Sequence, residues 1–123
     1  MYKFYMSSAV IFGATGLVGS YLLKNLINDE YYTSIKIFTR SEVNIKHPKL
    51  EIINTDLKNV ENIKDQIIAD CCFFCIGTTK KNSPEKSEYQ RVELDLPKEI
   101  AKICKSNSIK SFGYICLLYT SPS

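Results

Sequence analysis

The stretch that decides the fold is AVIFGATGLVGSYLLKNL, residues 9–26. Its first four residues, Ala9-Val10-Ile11-Phe12, form a short apolar run that ends at a glycine, which predicts a buried β-strand. From Leu17 to Leu26 the apolar residues recur at helical spacing, which predicts a helix. A glycine-rich turn, Gly13-Ala14-Thr15-Gly16-Leu17-Val18-Gly19, joins the two elements.

Each glycine of this turn has a separate physical role. Gly13 allows the tight turn, Gly16 lets the backbone approach a pyrophosphate, and Gly19 lets the helix pack close to the sheet. The free N–H groups at the start of the helix then face an anion, and Thr15 adds a hydroxyl donor. The turn predicts a nicotinamide dinucleotide site; the alternative is a glycine-rich turn without a ligand. The residues assigned to the site here are Gly13, Thr15, Gly16, Leu17, Val18 and Gly19.

The rest of the chain continues the alternation of strands and helices. Further strands are predicted over residues 34–40, 50–56, 71–76 and from 111, and helices over 60–68 and 88–104, where Pro97 could kink or restart the second helix. Such an order predicts an α/β fold, a Rossmann-type doubly wound parallel sheet of about five strands in the order 3-2-1-4-5. The cofactor crevice is expected where the strand order reverses.

The ends of the second and third predicted strands indicate which dinucleotide is bound. The second strand ends Phe38-Thr39-Arg40-Ser41, with no carboxylate before Glu42. A site for NAD(H) usually has an acidic residue there, whereas an arginine can pair with a 2′-phosphate, so NADP(H) is favoured over NAD(H). After the third strand, Asp56 could accept from the adenine amino group while Leu57 covers the ring; Asp56 could equally be a helix N-cap.

Composition and charge restrict the classes of binding partner that are expected for this chain. The chain has 123 residues, which suits one domain, and its net charge of +3 comes from scattered lysines, so a nucleic-acid partner is not expected. No apolar run is long enough to cross a membrane, no signal peptide is evident, and a single histidine makes no metal site. Five cysteines without an export signal indicate reduced thiols, and Cys72 and Cys75 are interpreted as inert. A cytoplasmic location is therefore predicted.

Together with Phe73-Phe74-Cys75-Ile76-Gly77-Thr78-Thr79, these features resemble the atypical short-chain dehydrogenase/reductase superfamily. Over residues 9–115 the chain is similar to the Tat-interacting-protein oxidoreductases and their bacterial relatives with NAD(P)H-binding domains. The resemblance places Arg40 where NADP-specific members have a basic residue and Asp56-Leu57 at the adenine-contacting pair. It also implies that the segment after the fourth strand runs beside the ribose and nicotinamide. The residues of that segment are Cys75, Ile76, Gly77 and Thr78.

The resemblance also shows what this sequence lacks. Members of the superfamily carry a Ser after strand five and a Tyr-x-x-x-Lys further on, and no such pair follows here. We therefore expect the NADP(H)-binding portion of an oxidoreductase that acts on an unidentified small molecule, with the catalytic residues unassigned and the fragment inactive. Two alternatives remain: a non-catalytic dinucleotide sensor or interaction protein on the same fold, and the N-terminal domain of a semialdehyde-type dehydrogenase.

The chain is divided into three parts. Residues 1–8 are interpreted as an N-terminal extension, in which Met6 could be an alternative start, and residues 9–115 as a partial NAD(P)-binding domain. Residues 116–123 resemble a translated sequencing adapter and are expected to be a non-native tail. If so, the fold is incomplete at its C-terminus, and strand five is expected to be an exposed edge that favours association.

Overall fold

The structure, a computed structural model, describes residues 7–76 and 95–114. Those ranges contain five strands, two α-helices and one 3₁₀ helix. In chain order they are β1 (Ser7–Phe12), α1 (Leu17–Asn28), β2 (Tyr32–Thr39), β3 (Leu50–Asn54), the 3₁₀ helix (Val60–Gln66), β4 (Cys71–Phe74), α2 (Leu96–Ser106) and β5 (Ser111–Tyr114).

The five strands form one parallel sheet in the order β3-β2-β1-β4-β5. This confirms the predicted fold class and strand order. In the central register Phe12 lies opposite Phe38 on one side and Phe74 on the other. Because all strands run the same way, the segments that follow them meet at one edge of the sheet, and the order reverses at β1.

Both faces of the sheet are covered by apolar side chains. On one face, Ala9 and Ile11 of β1 pack with Leu23 and Leu26 of α1. On the other face, Phe12 stacks on Phe38 with ring centroids 4.9 Å apart, in a core cluster completed by α2 and the 3₁₀ helix. β1 is therefore buried on both sides, which explains its continuous apolar run.

Several element boundaries differ from the predicted ones because contacts distant in sequence set them. β1 begins at Ser7 rather than Ala9, since the Ser7 N–H donates to Tyr31 O at 3.0 Å and the Ser8 N–H to the Asp70 carboxylate at 3.0 Å. β1 thus includes the last two residues of the predicted extension.

The helical segments also differ in detail. The helix predicted over 60–68 is a 3₁₀ helix, Val60–Gln66, capped by the Asn59 side chain, which accepts from the Glu61 N–H at 3.2 Å. Pro97 lies in the first turn of α2. The N–H groups of a first turn have no acceptor within the helix, so a proline there costs no helical hydrogen bond. The part of that predicted helix over 88–94, and the tail 116–123, lie outside the described residues.

One side chain fastens α2 to the layer beside it. The Nδ2 atom of Asn107, the residue that ends α2, donates to Lys64 O and to Ile67 O, each at 2.8 Å. Asn107 precedes β5, so it lies at the amino edge of the sheet, opposite the carboxyl ends of the strands.

Within the described ranges, no helix has the length and apolar character needed to span a bilayer.

Candidate functional site

The predicted site residues come together at the carboxyl edge of the sheet. The glycine turn follows β1, Arg40 follows β2, Asp56 follows β3, and Cys75 follows β4. At the centre of this edge the chain that leaves β4 is hydrogen-bonded to the end of β1, since the Cys75 N–H donates to Phe12 O at 2.8 Å. Two further predicted residues, Gly77 and Thr78, lie outside the described residues.

Gly13 is required by the packing of the turn itself. Its φ is +91°, a conformation that L side chains rarely adopt. A Cβ placed there would lie 2.7 Å from the Ile76 nitrogen and 2.8 Å from the Cys75 carbonyl carbon. The turn after β1 therefore lies directly against the chain that leaves β4.

Gly19 and Gly16 differ sharply in what surrounds them. A Cβ on Gly19 would collide with Gly13 O and lie 2.7 Å from the Gly13 carbonyl carbon, so α1 packs on the turn at this position. At Gly16 the nearest such atom, Gly13 O, would be 3.7 Å away, which is ordinary van der Waals contact. The fold needs a glycine at position 19, whereas the exposed space beside Gly16 would admit a methyl group.

The start of α1 presents backbone donors to that space. Gly16 is the N-cap and supplies no side-chain cap, and the helix hydrogen bonds begin with the Ser20 N–H donating to Gly16 O at 2.8 Å. Within residues 7–76 and 95–114, the N–H groups of Leu17, Val18 and Gly19 have no acceptor. No acidic residue lies in the first turn, so the positive end of the helix stays uncompensated.

The surface around these donors is open. Thr15 is exposed, and Leu17 is 83% exposed. An exposed turn with unpaired N–H groups at a helix start is the arrangement that binds a phosphate or pyrophosphate.

Arg40 lies at the exposed end of β2. The ion pair found among the described residues joins Lys64 and Glu61, so the Arg40 guanidinium has no acidic partner there. Its neighbours are tightly held, because Asn54 Nδ2 donates to Ser41 O at 2.9 Å. Sequence reasoning missed Asn54, since its contact depends on the register that pairs Asn54 with Thr39.

Asp56 and Leu57 have different surroundings from each other. Asp56 is exposed, and its Oδ1 accepts from the Lys58 N–H at 2.9 Å, so it stabilises a local turn; the helix N-cap is Asn59. Leu57 has a φ of +60° and is only 5% exposed, within the core cluster. The role of both residues toward an adenine ring stays a prediction.

The cysteines near the site are protonated at neutral pH. Burial raises the pKa of the Cys75 thiol. The pKa of Cys72 is raised still further, first by its hydrogen bond with Cys104 and then by burial. Neither thiol is therefore a ready nucleophile, and the described residues contain no group of three or more side chains that could hold a metal ion.

The fold and the site together define a Rossmann-type dinucleotide-binding domain. Residues 9–116 match the NAD dependent epimerase/dehydratase family, and the chain belongs to that family. Among solved structures, the enzyme WbmG of Bordetella bronchiseptica in complex with NAD superposes with a TM-score of 0.75 at 15% identity, over 96% of this chain and 40% of that one. That similarity shows the fold alone.

Curated relatives confirm the resemblance drawn from the sequence. Protein fmp52-2 of Neosartorya fischeri is 27% identical over 117 residues, covering 89% of this chain and 49% of the relative. Protein HTATIP2 of Rattus norvegicus is 23% identical over 118 residues, covering 93% of this chain and 48% of the relative. The chain thus spans about half the length of the curated relatives it matches.

The names of these relatives correct one prediction. The fmp52 proteins are named as mitochondrial, so the predicted cytoplasmic location is wrong. That prediction rested on the lack of a secretory signal peptide. Such a signal is apolar, whereas a mitochondrial transit peptide is amphipathic and basic, so the lack of the first carries no information about the second.

Proposed function

We propose that this chain binds NADP(H) in preference to NAD(H), as the cofactor-binding portion of an oxidoreductase. The observation that carries the proposal is Arg40, an exposed cation at the end of β2 with no acidic partner among the described residues. In this fold the end of the second strand faces the adenosine ribose, where a 2′-phosphate distinguishes the two cofactors. An arginine there supplies charge-assisted hydrogen bonds to that phosphate.

The other residues of the edge fit the rest of the cofactor. The N–H groups of Leu17, Val18 and Gly19 would hold the pyrophosphate, and the open side of Gly16 leaves room for its approach. Cys75, Ile76, Gly77 and Thr78 would run beside the ribose and nicotinamide, and Asp56 with Leu57 would lie near the adenine. When bound, the nicotinamide supplies the hydride, while the protein binds and orients it.

The proposal for this chain covers cofactor binding and not a reaction. The proton-transfer group of such reductases is left unassigned. A non-catalytic dinucleotide sensor on the same fold would share every feature described above. A semialdehyde-type dehydrogenase is less well supported, because the segment Cys75-Ile76-Gly77-Thr78-Thr79 fits the short-chain dehydrogenase/reductase superfamily better.

The test is a pair of titrations that follow NADPH and NADH fluorescence. Because hydrogen bonds to charged groups contribute about 1.5–3 kcal/mol, Arg40→Gln should weaken NADPH binding about tenfold or more and leave NADH binding nearly unchanged. Lys110→Gln is the matched control, since Lys110 is an exposed cation before β5, at the opposite edge of the sheet. Equal affinity of the wild-type chain for both cofactors would refute the proposed preference.

A further inference from the structure

A hydrogen-bonded cluster joins the ends of β2 and β3 immediately around Arg40. Asn54 is the last residue of β3 and lies opposite Thr39, the last residue of β2. Its Nδ2 atom donates to Ser41 O at 2.9 Å and, more weakly, to Thr39 O at 3.5 Å. One carboxamide therefore reaches the backbone on both sides of Arg40.

The Thr39 side chain completes the cluster. Thr39 is only 4% exposed, and its Oγ1 accepts from the Ser41 N–H at 3.1 Å. The Thr55 N–H donates to Thr39 O at 2.9 Å, which continues the β2–β3 ladder past its last paired residues. Three backbone atoms that flank Arg40 are thus fixed: Thr39 O, Ser41 N and Ser41 O.

This fixing matters because the guanidinium lies at the end of a long, flexible side chain. Ordering such a side chain on binding costs free energy, and each part already ordered in the unbound protein lowers that cost. The backbone at Arg40 follows the last ladder pair of β2, so the sheet alone does not fix it beyond Thr39. Asn54 and Thr39 supply the missing restraint.

We propose that Asn54 is a positioning residue for cofactor specificity, which holds the Thr39–Ser41 backbone so that Arg40 meets the 2′-phosphate. This rests on the proposed function. The amide suits the task because it donates to two carbonyl groups without adding charge. A carboxylate in its place would repel both carbonyls and the phosphate.

The experiment compares Kd values for NADPH and NADH in the full chain and its variants. Asn54→Leu has nearly the same shape without the donor. Because a hydrogen bond contributes about 0.5–1.5 kcal/mol, it should raise the NADPH Kd about three- to tenfold while the NADH Kd stays nearly constant. Thr39→Val, which lacks the acceptor for the Ser41 N–H, should act in the same direction, whereas Thr39→Ser keeps the hydroxyl and should keep the preference.

Asn107→Leu is the matched control. It also removes an amide that donates to two carbonyls, but at the opposite edge of the sheet. It should lower stability and leave the ratio of the two Kd values unchanged. If Asn54→Leu fails to fold, as the lack of a cooperative thermal transition by circular dichroism would show, the comparison of Thr39→Val with Thr39→Ser decides.

The outcomes separate this inference from the proposal on which it rests. A wild-type preference for NADPH that survives both Asn54→Leu and Thr39→Val would overturn the inference and leave the proposed function standing. An equal loss of NADPH and NADH affinity would assign Asn54 a merely structural role, which also overturns it. A wild-type chain without any preference would overturn the proposed function itself, and the inference with it.

Discussion

At the scale of single residues, the glycine turn separates what the fold needs from what a ligand needs. Gly13 and Gly19 touch the rest of the protein so closely that neither can carry a side chain without rearrangement. Gly16, between them, borders open space and has an extended backbone that any residue adopts. The same spacing motif therefore contains two kinds of glycine, which substitution can tell apart.

We expect Gly19→Ala and Gly16→Ala to fail in different ways. The new methyl at position 19 would overlap Gly13 O, so the free energy of unfolding should fall by about 1–3 kcal/mol and dinucleotide binding should fall with it. At position 16 the methyl has room, and the loss of stability should stay below about 1 kcal/mol, as for an N-cap change.

Binding should nevertheless weaken strongly in Gly16→Ala, because the methyl would occupy the side from which a pyrophosphate approaches. Urea unfolding and NADH titration on the same samples measure the two effects. Gly16→Ala binding NADH as tightly as the wild-type chain would contradict the assignment of this turn to the pyrophosphate.

At the scale of elements, α1 depends on a cation from outside the helix. Its last turn contains no basic residue. Lys49, which precedes β3, fills that role: its Nζ donates to Ile27 O at 2.9 Å and to Asp29 O at 3.0 Å. Carbonyls at a helix C-terminus are the acceptors that such a cation stabilises.

Lys49→Met should therefore loosen the end of α1 without touching the cofactor site. Methionine keeps most of the aliphatic chain, so the loss is mainly that of two hydrogen bonds, and stability should fall by about 1–2 kcal/mol. Hydrogen exchange should rise at the end of α1, and the ratio of the NADPH and NADH Kd values should not change. Lys46→Met, on an exposed position in the same loop, is the control; an equal effect there would remove the special role of Lys49.

The elements also show how far sequence reasoning reaches. The strand order and the meeting of the glycine turn, Arg40, Asp56 and Cys75 at one edge follow from the alternation of strands and helices, since parallel strands place their ends together. The Asn54 contact and the start of β1 could not be predicted. Both depend on partners brought close by register: Ser41 is 13 residues from Asn54, and Asp70 is 62 residues from Ser8.

Leu57 is a second case in which a structural detail could not be predicted from the sequence. The sequence places it after β3 and favours a contact with the adenine ring. Its φ is positive and it is buried within the core cluster, a backbone detail for which a non-glycine residue gives no signal. Positions after a strand are thus easier to predict than the direction in which their side chains lie.

At the scale of the whole molecule, the candidate site draws on the ends of four strands, so ligand binding there would be coupled to folding. A ligand that binds only the folded chain at about 100 times its Kd adds about 2.7 kcal/mol of stability, which for this size should raise Tm by roughly 10 °C. NADPH should therefore raise Tm more than NADH at equal concentration.

Two smaller probes make this prediction specific to the 2′-phosphate. Adenosine 2′,5′-bisphosphate should stabilise the chain more than adenosine 5′-phosphate, because the two probes differ only in the 2′-phosphate. Arg40→Gln should abolish the difference. Neither probe carries a nicotinamide, so the nicotinamide cannot contribute to the result. Thermal unfolding followed by circular dichroism measures all four ligands. Equal shifts for the two adenosine nucleotides would place the source of any NADPH preference away from Arg40.

The three glycines of the turn also have an evolutionary consequence. A descendant of this chain that stopped using a nucleotide would still need the first and third glycines, since the sheet and α1 cannot close without them. Only the middle position, Gly16, could then accept other residues. In a set of related genes, the spacing of the outer glycines would trace common ancestry, and the residue between them would report which lineages still bind their ligand.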